Sequence, residues 1–87
     1  MATVRDKRKE LLHALAVLHA TEQGVLRLEA SLGVALKFPR AFPSPDGSDM
    51  RYIAGRWGMY YYYDEARDEI VPLRIIDNLR GRARSLD

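Results

Sequence analysis

Three prolines, Pro39, Pro43 and Pro45, stand within "KFPRAFPSPDGSD" (residues 37–49) and divide the chain into halves that no regular element bridges. Proline ends a helix and cannot donate to a sheet ladder, and "PSPDGS" is turn chemistry. Before this stretch apolar residues recur with the helical period; after it they recur every second position.

Thr3, with Asp6 three residues on, reads as a helix start of the capping-box kind. Val4, Leu11, Leu12, Leu15 and Leu18 mark one stripe, and Arg5, Lys7, Arg8 and Lys9 fall mostly off it. Thr21 is a second cap, followed by a stripe of Val25, Leu28, Leu32 and Leu36 with Leu26 and Ala35 beside it. Gly24 falls in the first turn of that helix, where a glycine costs least. One continuous helix to about Lys37 fits the same letters; the reading preferred is two helices breaking near Ala20–Thr21.

The second half carries "MRYIAG", "GMYYYY", a polar turn "DEARDE" and "IVPLRII". Strand-forming runs joined by a short polar turn read as a hairpin. Pro72 makes the last strand an edge or a bulged one. Asp77 or Asn78 is a candidate cap for a short final helix. The expected fold is therefore α+β, a single domain. Two N-terminal helices (1–37) pack on one face of a small antiparallel sheet (50–76) after a Pro-rich loop (38–49). A short basic tail (77–87) closes the chain.

Composition limits the chemistry. The chain of 87 residues is 47% apolar and 30% charged, which is globular and not disordered in character, and long enough for only a small core. It has no cysteine, which excludes disulfides, thiolate zinc sites and a cysteine nucleophile and fits a cytoplasmic location. A net charge of +2 permits a local nucleic-acid patch without arguing for one globally. "KRKELLHALAVLHA" has the order of a signal peptide, but Glu10, His13 and His19 interrupt it, and an amphipathic helix is preferred. No stretch approaches the roughly 18 apolar residues of a membrane span.

Tyr60 to Tyr63 are consecutive, so Tyr61 and Tyr63 share one sheet face with Met59, and Tyr60 and Tyr62 share the other. In the partner strand Val71, Leu73 and Ile75 alternate with Ile70, Pro72, Arg74 and Ile76. One face packs on the helices. The other presents Tyr60, Tyr62, Arg74 and Ile76 as a partner-binding surface, for a protein partner or a second copy of the chain as a homodimer. Tyrosine and arginine are residues that interfaces select. Base stacking on the same rings is the nucleic-acid version. Plain strand propensity also places tyrosines at exposed positions.

Other clusters are less informative. His13 and His19 are about 240° apart on a helix and cannot share a metal, so no metal site and no cofactor is expected. Asp64, Glu65, Asp68 and Glu69 lack calcium-loop spacing and read as a solvated turn. "LEASLGV" resembles the middle of a helix-turn-helix, but Pro39 and Pro43 leave no room for a recognition helix. Arg80, Arg82 and Arg84 alternate with small residues, a pattern that suits phosphate if extended and a solvated terminus otherwise.

The segment "RYIAGRWGMYYYYDEARDEIVPLRIIDNLRGR", preceded by helices and a proline loop, resembles the RelE/ParE superfamily of bacterial toxins. The resemblance covers roughly residues 38–84. It implies helices on an antiparallel sheet, and either ribosome-dependent messenger RNA cleavage or gyrase poisoning, restrained by an antitoxin peptide. On that basis Arg51, Arg56 and Arg74 occupy basic positions of the family, and Arg80 and Arg82 match its basic tail. With Arg84 they form the candidate nucleic-acid-binding set. The family's first strand has no counterpart here, since residues 1–20 read as helix; Asp77 stands near where a histidine or arginine is common, and no tyrosine lies near the chain end. Arginine is a poor proton acceptor, so these residues supply charge without a general base, and the catalytic residues stay unassigned.

Overall fold

The structure, a computed structural model, describes residues 2–4, 8–44, 46–48 and 50–86 (of residues 8 and 9, the backbone alone). In chain order it contains β1 (Thr3–Val4), α1 (Arg8–Val17), α2 (Glu22–Lys37), β2 (Met50–Ile53), β3 (Trp57–Asp64), β4 (Glu69–Asp77) and β5 (Arg82–Ser85). It is an α+β protein with a five-stranded, mostly antiparallel sheet.

The helical half is two helices. The stop between them is a residue whose sequence gives no warning of it: His19 adopts a left-handed φ of 59°. Its N–H donates to Ala16 O at 3.0 Å, and the N–H of Ala20 donates to Leu15 O at 2.9 Å. This pair of bonds is the Schellman closure, which glycine usually occupies. Thr21 then caps α2 as expected, its Oγ1 accepting from Gly24 N at 3.1 Å. Phe38 ends α2 by donating to Val34 O, and Pro39 prevents continuation.

Thr3 is not a helix cap. It belongs to β1, which pairs in parallel with β4 (Thr3 opposite Glu69, Val4 opposite Ile70), and its N–H donates to Asp68 O at 3.0 Å. Its proposed partner Asp6 lies outside the described residues. The stripes also shift. Leu12 is 46% and Leu26 58% exposed, while Ala14 and Ala35 are buried. The two alanines thus lie on the buried side of their helices and the two leucines on the exposed side.

Strand β4 is bulged and interior. It has β3 along one side, with β1 and then β5 along the other. Those two pair with residues 69–70 and 74–77, so Pro72 falls where neither pairs. On the β3 side Tyr61 opposes Pro72 and Tyr60 opposes Arg74, which leaves Leu73 as the extra residue. The expected alternation along 70–76 is thereby corrected. Ile70 and Pro72 share a face with Ile75 and Asp77, and Val71 joins Arg74 and Ile76 on the other.

The segment expected as a basic tail, or as a short helix capped by Asp77 or Asn78, contains β5 instead. Asp77 does cap, but it caps a turn: Oδ1 accepts from the N–H groups of Leu79 and Arg80 at 3.1 and 3.3 Å. Gly81, at φ 66°, then completes a hairpin. Leu86 follows β5 and is buried, its N–H bonded to Leu73 O.

One buried cluster joins Leu11, Leu15 and Leu18 of α1 and Leu28 and Ala35 of α2 with Ile53, Trp57, Met59, Tyr61, Ile70 and Ile75. Among the described residues no helix is long and apolar enough to cross a membrane.

Two substitutions test this packing in opposite directions. His19→Gly removes the steric cost of the left-handed position, about 1 kcal/mol, and should raise the urea midpoint. Gly24→Ala should lower it, although helix propensity alone favours alanine by about 1 kcal/mol. A Cβ there would stand 2.5 Å from Trp57 Nε1 and 2.8 Å from its Cδ1. A more stable G24A protein would show that this contact is not formed.

Candidate functional site: a tyrosine–arginine ladder

The alternation of β3 separates the four tyrosines as expected. Tyr61 is fully buried with Met59, and Tyr63 is half-buried on the same face. Tyr61 donates its hydroxyl to Pro39 O at 2.7 Å, which ties the proline loop to the sheet. Tyr63 donates to Asp68 Oδ1 at 2.6 Å and closes the β3–β4 turn. In the same turn Arg67 N donates to Asp64 Oδ1, so the acidic cluster acts as turn chemistry.

Tyr60 and Tyr62 lie on the opposite face, Tyr62 being 40% exposed. Register adds what alternation could not: Tyr52 of β2 opposes Tyr60, and Tyr60 opposes Arg74. The N–H of Tyr52 is donated away from β3, to Pro43 O at 3.0 Å. Tyr52 and Tyr60 therefore form a non-hydrogen-bonded pair, the kind in which side chains approach closest. Their ring centroids are 4.7 Å apart with a 35° tilt, and Arg74 Cζ lies 5.0 Å from the Tyr60 centroid. Such ring pairs contribute about 0.5–1.5 kcal/mol, and an exposed cation over a ring about 0.5–1 kcal/mol.

Backbone chemistry holds the ladder in place. Asn78 Nδ2 donates one proton to the Tyr52 hydroxyl at 2.8 Å and the other to Gly55 O at 2.7 Å. Gly58 leaves room for the phenol, since a Cβ there would be 2.6 Å from the Tyr52 oxygen. Met50 and Val71 flank Tyr62 on either side, and Ile76 opposes Gly58. The expected set Tyr60, Tyr62, Arg74 and Ile76 is thus brought onto one face. Tyr52, Met50 and Val71 belong with it. The alternation of "MRYI" already separated Met50 and Tyr52 from Arg51 and Ile53, but the cross-strand register was missing.

The six arginines are not brought together. Arg51 opposes Tyr61 on the other face and donates to Phe42 O at 3.0 Å and Arg40 O at 3.4 Å, holding the loop. Arg56 sits in the β2–β3 connection, 3.6 Å from the Asp77 carboxylate and 5.2 Å above the Trp57 ring. Arg80 lies in the β4–β5 turn. Arg82 and Arg84 oppose Asp77 and Ile75, so they leave the sheet on the side opposite Arg74. His13 is exposed on α1 and His19 ends that helix; among the described residues no three potential ligands form a metal cluster.

Burial raises the Tyr61 hydroxyl pKa above its ordinary value of 10.0, with Arg51 opposing this more weakly. Tyr63 is raised chiefly by its bond to Asp68. Above pH 10 the folded chain therefore keeps protons that the unfolded chain has lost, and stability should fall as pH rises toward the raised values. Urea midpoints across the alkaline range should show this slope. Tyr61→Phe and Tyr63→Phe should each reduce it, and an unchanged slope in the double variant would contradict the assignment.

No protein-family model, curated protein or solved structure matches the chain.

Proposed function

We propose that this chain is a small cytoplasmic interaction module that docks a protein partner, or a second copy of itself as a homodimer, on the Tyr52–Tyr60–Arg74 face. The helices, in this reading, cover the Met59–Tyr61–Ile75 side of the sheet and leave the ladder side for the partner. The buried cluster uniting Leu15 and Leu28 with Met59 and Tyr61 supports that arrangement. The observation that carries the proposal is the ladder itself. Its rings and guanidinium are held by one another and by Asn78 before any partner arrives, which lowers the entropy cost of binding. Tyr62, Met50 and Ile76 extend the apolar surface around it, beside the buried Val71.

A second reading, favoured by the guanidinium of Arg74 sharing a face with stacked rings, is toxin-like or RNA-binding. Unpaired bases would stack on Tyr60 and Tyr62 and phosphates would meet Arg74, with Arg51, Arg56, Arg80, Arg82 and Arg84 adding charge. The resemblance to the RelE/ParE superfamily supports this version, and any ribonuclease activity depends on it.

Salt separates the two. Light scattering after size exclusion should give a dimer mass that survives moderate salt. Tyr60→Ser with Tyr62→Ser should return it to monomer, since anchor residues of an interface each carry about 2 kcal/mol. A monomer at every concentration, with single-stranded RNA binding that weakens steeply with salt and flattens in Arg74→Ala, would replace the first reading with the second.

A further inference from the structure

The first three turns of α2 and the β2–β3 connection border an open cavity of about 450 Å³ away from the ladder, within the size range of small-molecule sites. Its wall includes Gln23, Gly24, Arg27, Ser31, Arg56 and Trp57. We propose that this cavity binds a small organic oxyanion, a carboxylate or a phosphate monoester, through the indole N–H of Trp57 and the guanidinium groups of Arg27 and Arg56.

Trp57 carries the argument. It is 6% exposed, yet its indole N–H meets no acceptor among the described residues. The ring is buried, but among the described residues its nitrogen is not one of the buried atoms left without a partner, so the N–H keeps access to solvent. Its nitrogen is the atom nearest the Cβ position of Gly24, which is itself part of the cavity wall. The absent side chain of Gly24 thus opens the space beside this accessible donor.

The charged residues that line the cavity are Arg27 and Arg56, while the buried Asp77, opposite Trp57 in the β3–β4 register and 3.6 Å from Arg56, is not part of its wall. No aspartate or glutamate lines the cavity. Arg27 is exposed and has no acidic partner among the described residues. Arg56 is fixed over the Trp57 ring, with its Nε toward Asp77. That leaves its terminal nitrogens as the fork that matches paired oxygens. The amide of Gln23 and the hydroxyl of Ser31 add adaptable donors, while Leu28, Ala30 and Ala54 supply apolar wall for the body of the ligand. A cationic ligand would be repelled by the two guanidinium groups, and a neutral one would leave their charge unmatched.

Trp57 is the sole tryptophan of the chain, so its fluorescence reports this cavity directly. The protein is titrated with inorganic phosphate and, separately, with succinate, against potassium chloride at matched ionic strength. The expected result is a saturable change with at least one oxyanion and none with chloride, together with a shift of the indole N–H resonance. Response to phosphate alone assigns the phosphate class, response to succinate alone the carboxylate class. Arg27→Gln, at an exposed position, should weaken the affinity about tenfold, the loss of one charge-assisted contact. A linear response shared with chloride, no response to either oxyanion, or an unaltered affinity in Arg27→Gln overturns the proposal. These readings do not depend on the ladder face, so dimerisation can fail while the cavity binds, and the reverse.

Discussion

Between Pro72 and Arg74, strand β4 carries one residue more than the strand beside it, and the identity of both sheet faces follows from that insertion. Without it, the pairing that starts at Asp64 and Glu69 would set Arg74 opposite Met59, against the fully buried side of the sheet. An arginine there would have to bury its charge without an acidic partner. The extra residue at Leu73 turns the phase by one. Arg74 then meets Tyr60, and Ile75 takes the place beside Met59. The bulge is compatible with Pro72, which has no N–H to lose. The N–H of Leu86 takes up the Leu73 carbonyl on the far side. Aromatic ladder and apolar core are two consequences of one local irregularity.

Local chemistry was readable where the interactions are local. The helical and β halves, the Thr21 cap and the alternation of Tyr60 to Tyr63 depend on near neighbours, and each is legible in the letters. Pro72 announced an irregularity but not its sense, because a proline is equally at home on an edge and beside a bulge. What was not legible depends on partners distant in sequence. β1 is two residues whose strand character exists only through pairing with residues more than sixty positions away. β5 is an arginine-bearing run, "RARS", with no strand signature, and its register comes from Asp77 capping the turn that precedes it. His19 in a left-handed turn has no propensity signal at all, since glycine is the residue that such a position ordinarily selects.

Asp77 and Asn78 show how closely the two proposed surfaces are built. Neighbouring residues at a strand end turn to opposite sides, and these two do so with different tasks. Asp77, fully buried, accepts from the turn that leads into β5 and lies beside Arg56, which itself lines the cavity. Among the described residues its Oδ2 has no hydrogen-bond partner, and the bonds to the turn all fall on Oδ1. Asn78 reaches the other way, to the phenol of Tyr52 and the carbonyl of Gly55. Its own N–H donates to Arg56 O at 2.8 Å, which stitches the β4–β5 turn to the β2–β3 connection.

That stitching explains why one glycine, Gly55, stands in the connection between β2 and β3 and another, Gly58, near the start of β3. Gly55 sits at φ 141°, a backbone state in which a side chain would be strained, and this aims its carbonyl at Asn78. Gly58 lets the Tyr52 ring cross above the sheet. Between them, Arg56 and Trp57 face the cavity. The connection thus divides its residues by side: glycines where backbone or ring must come close, and donors where open space remains. A segment that only joined two strands would need none of these four residues in this order. Their arrangement makes this connection the structural link between the ladder on one side of the sheet and the cavity on the other.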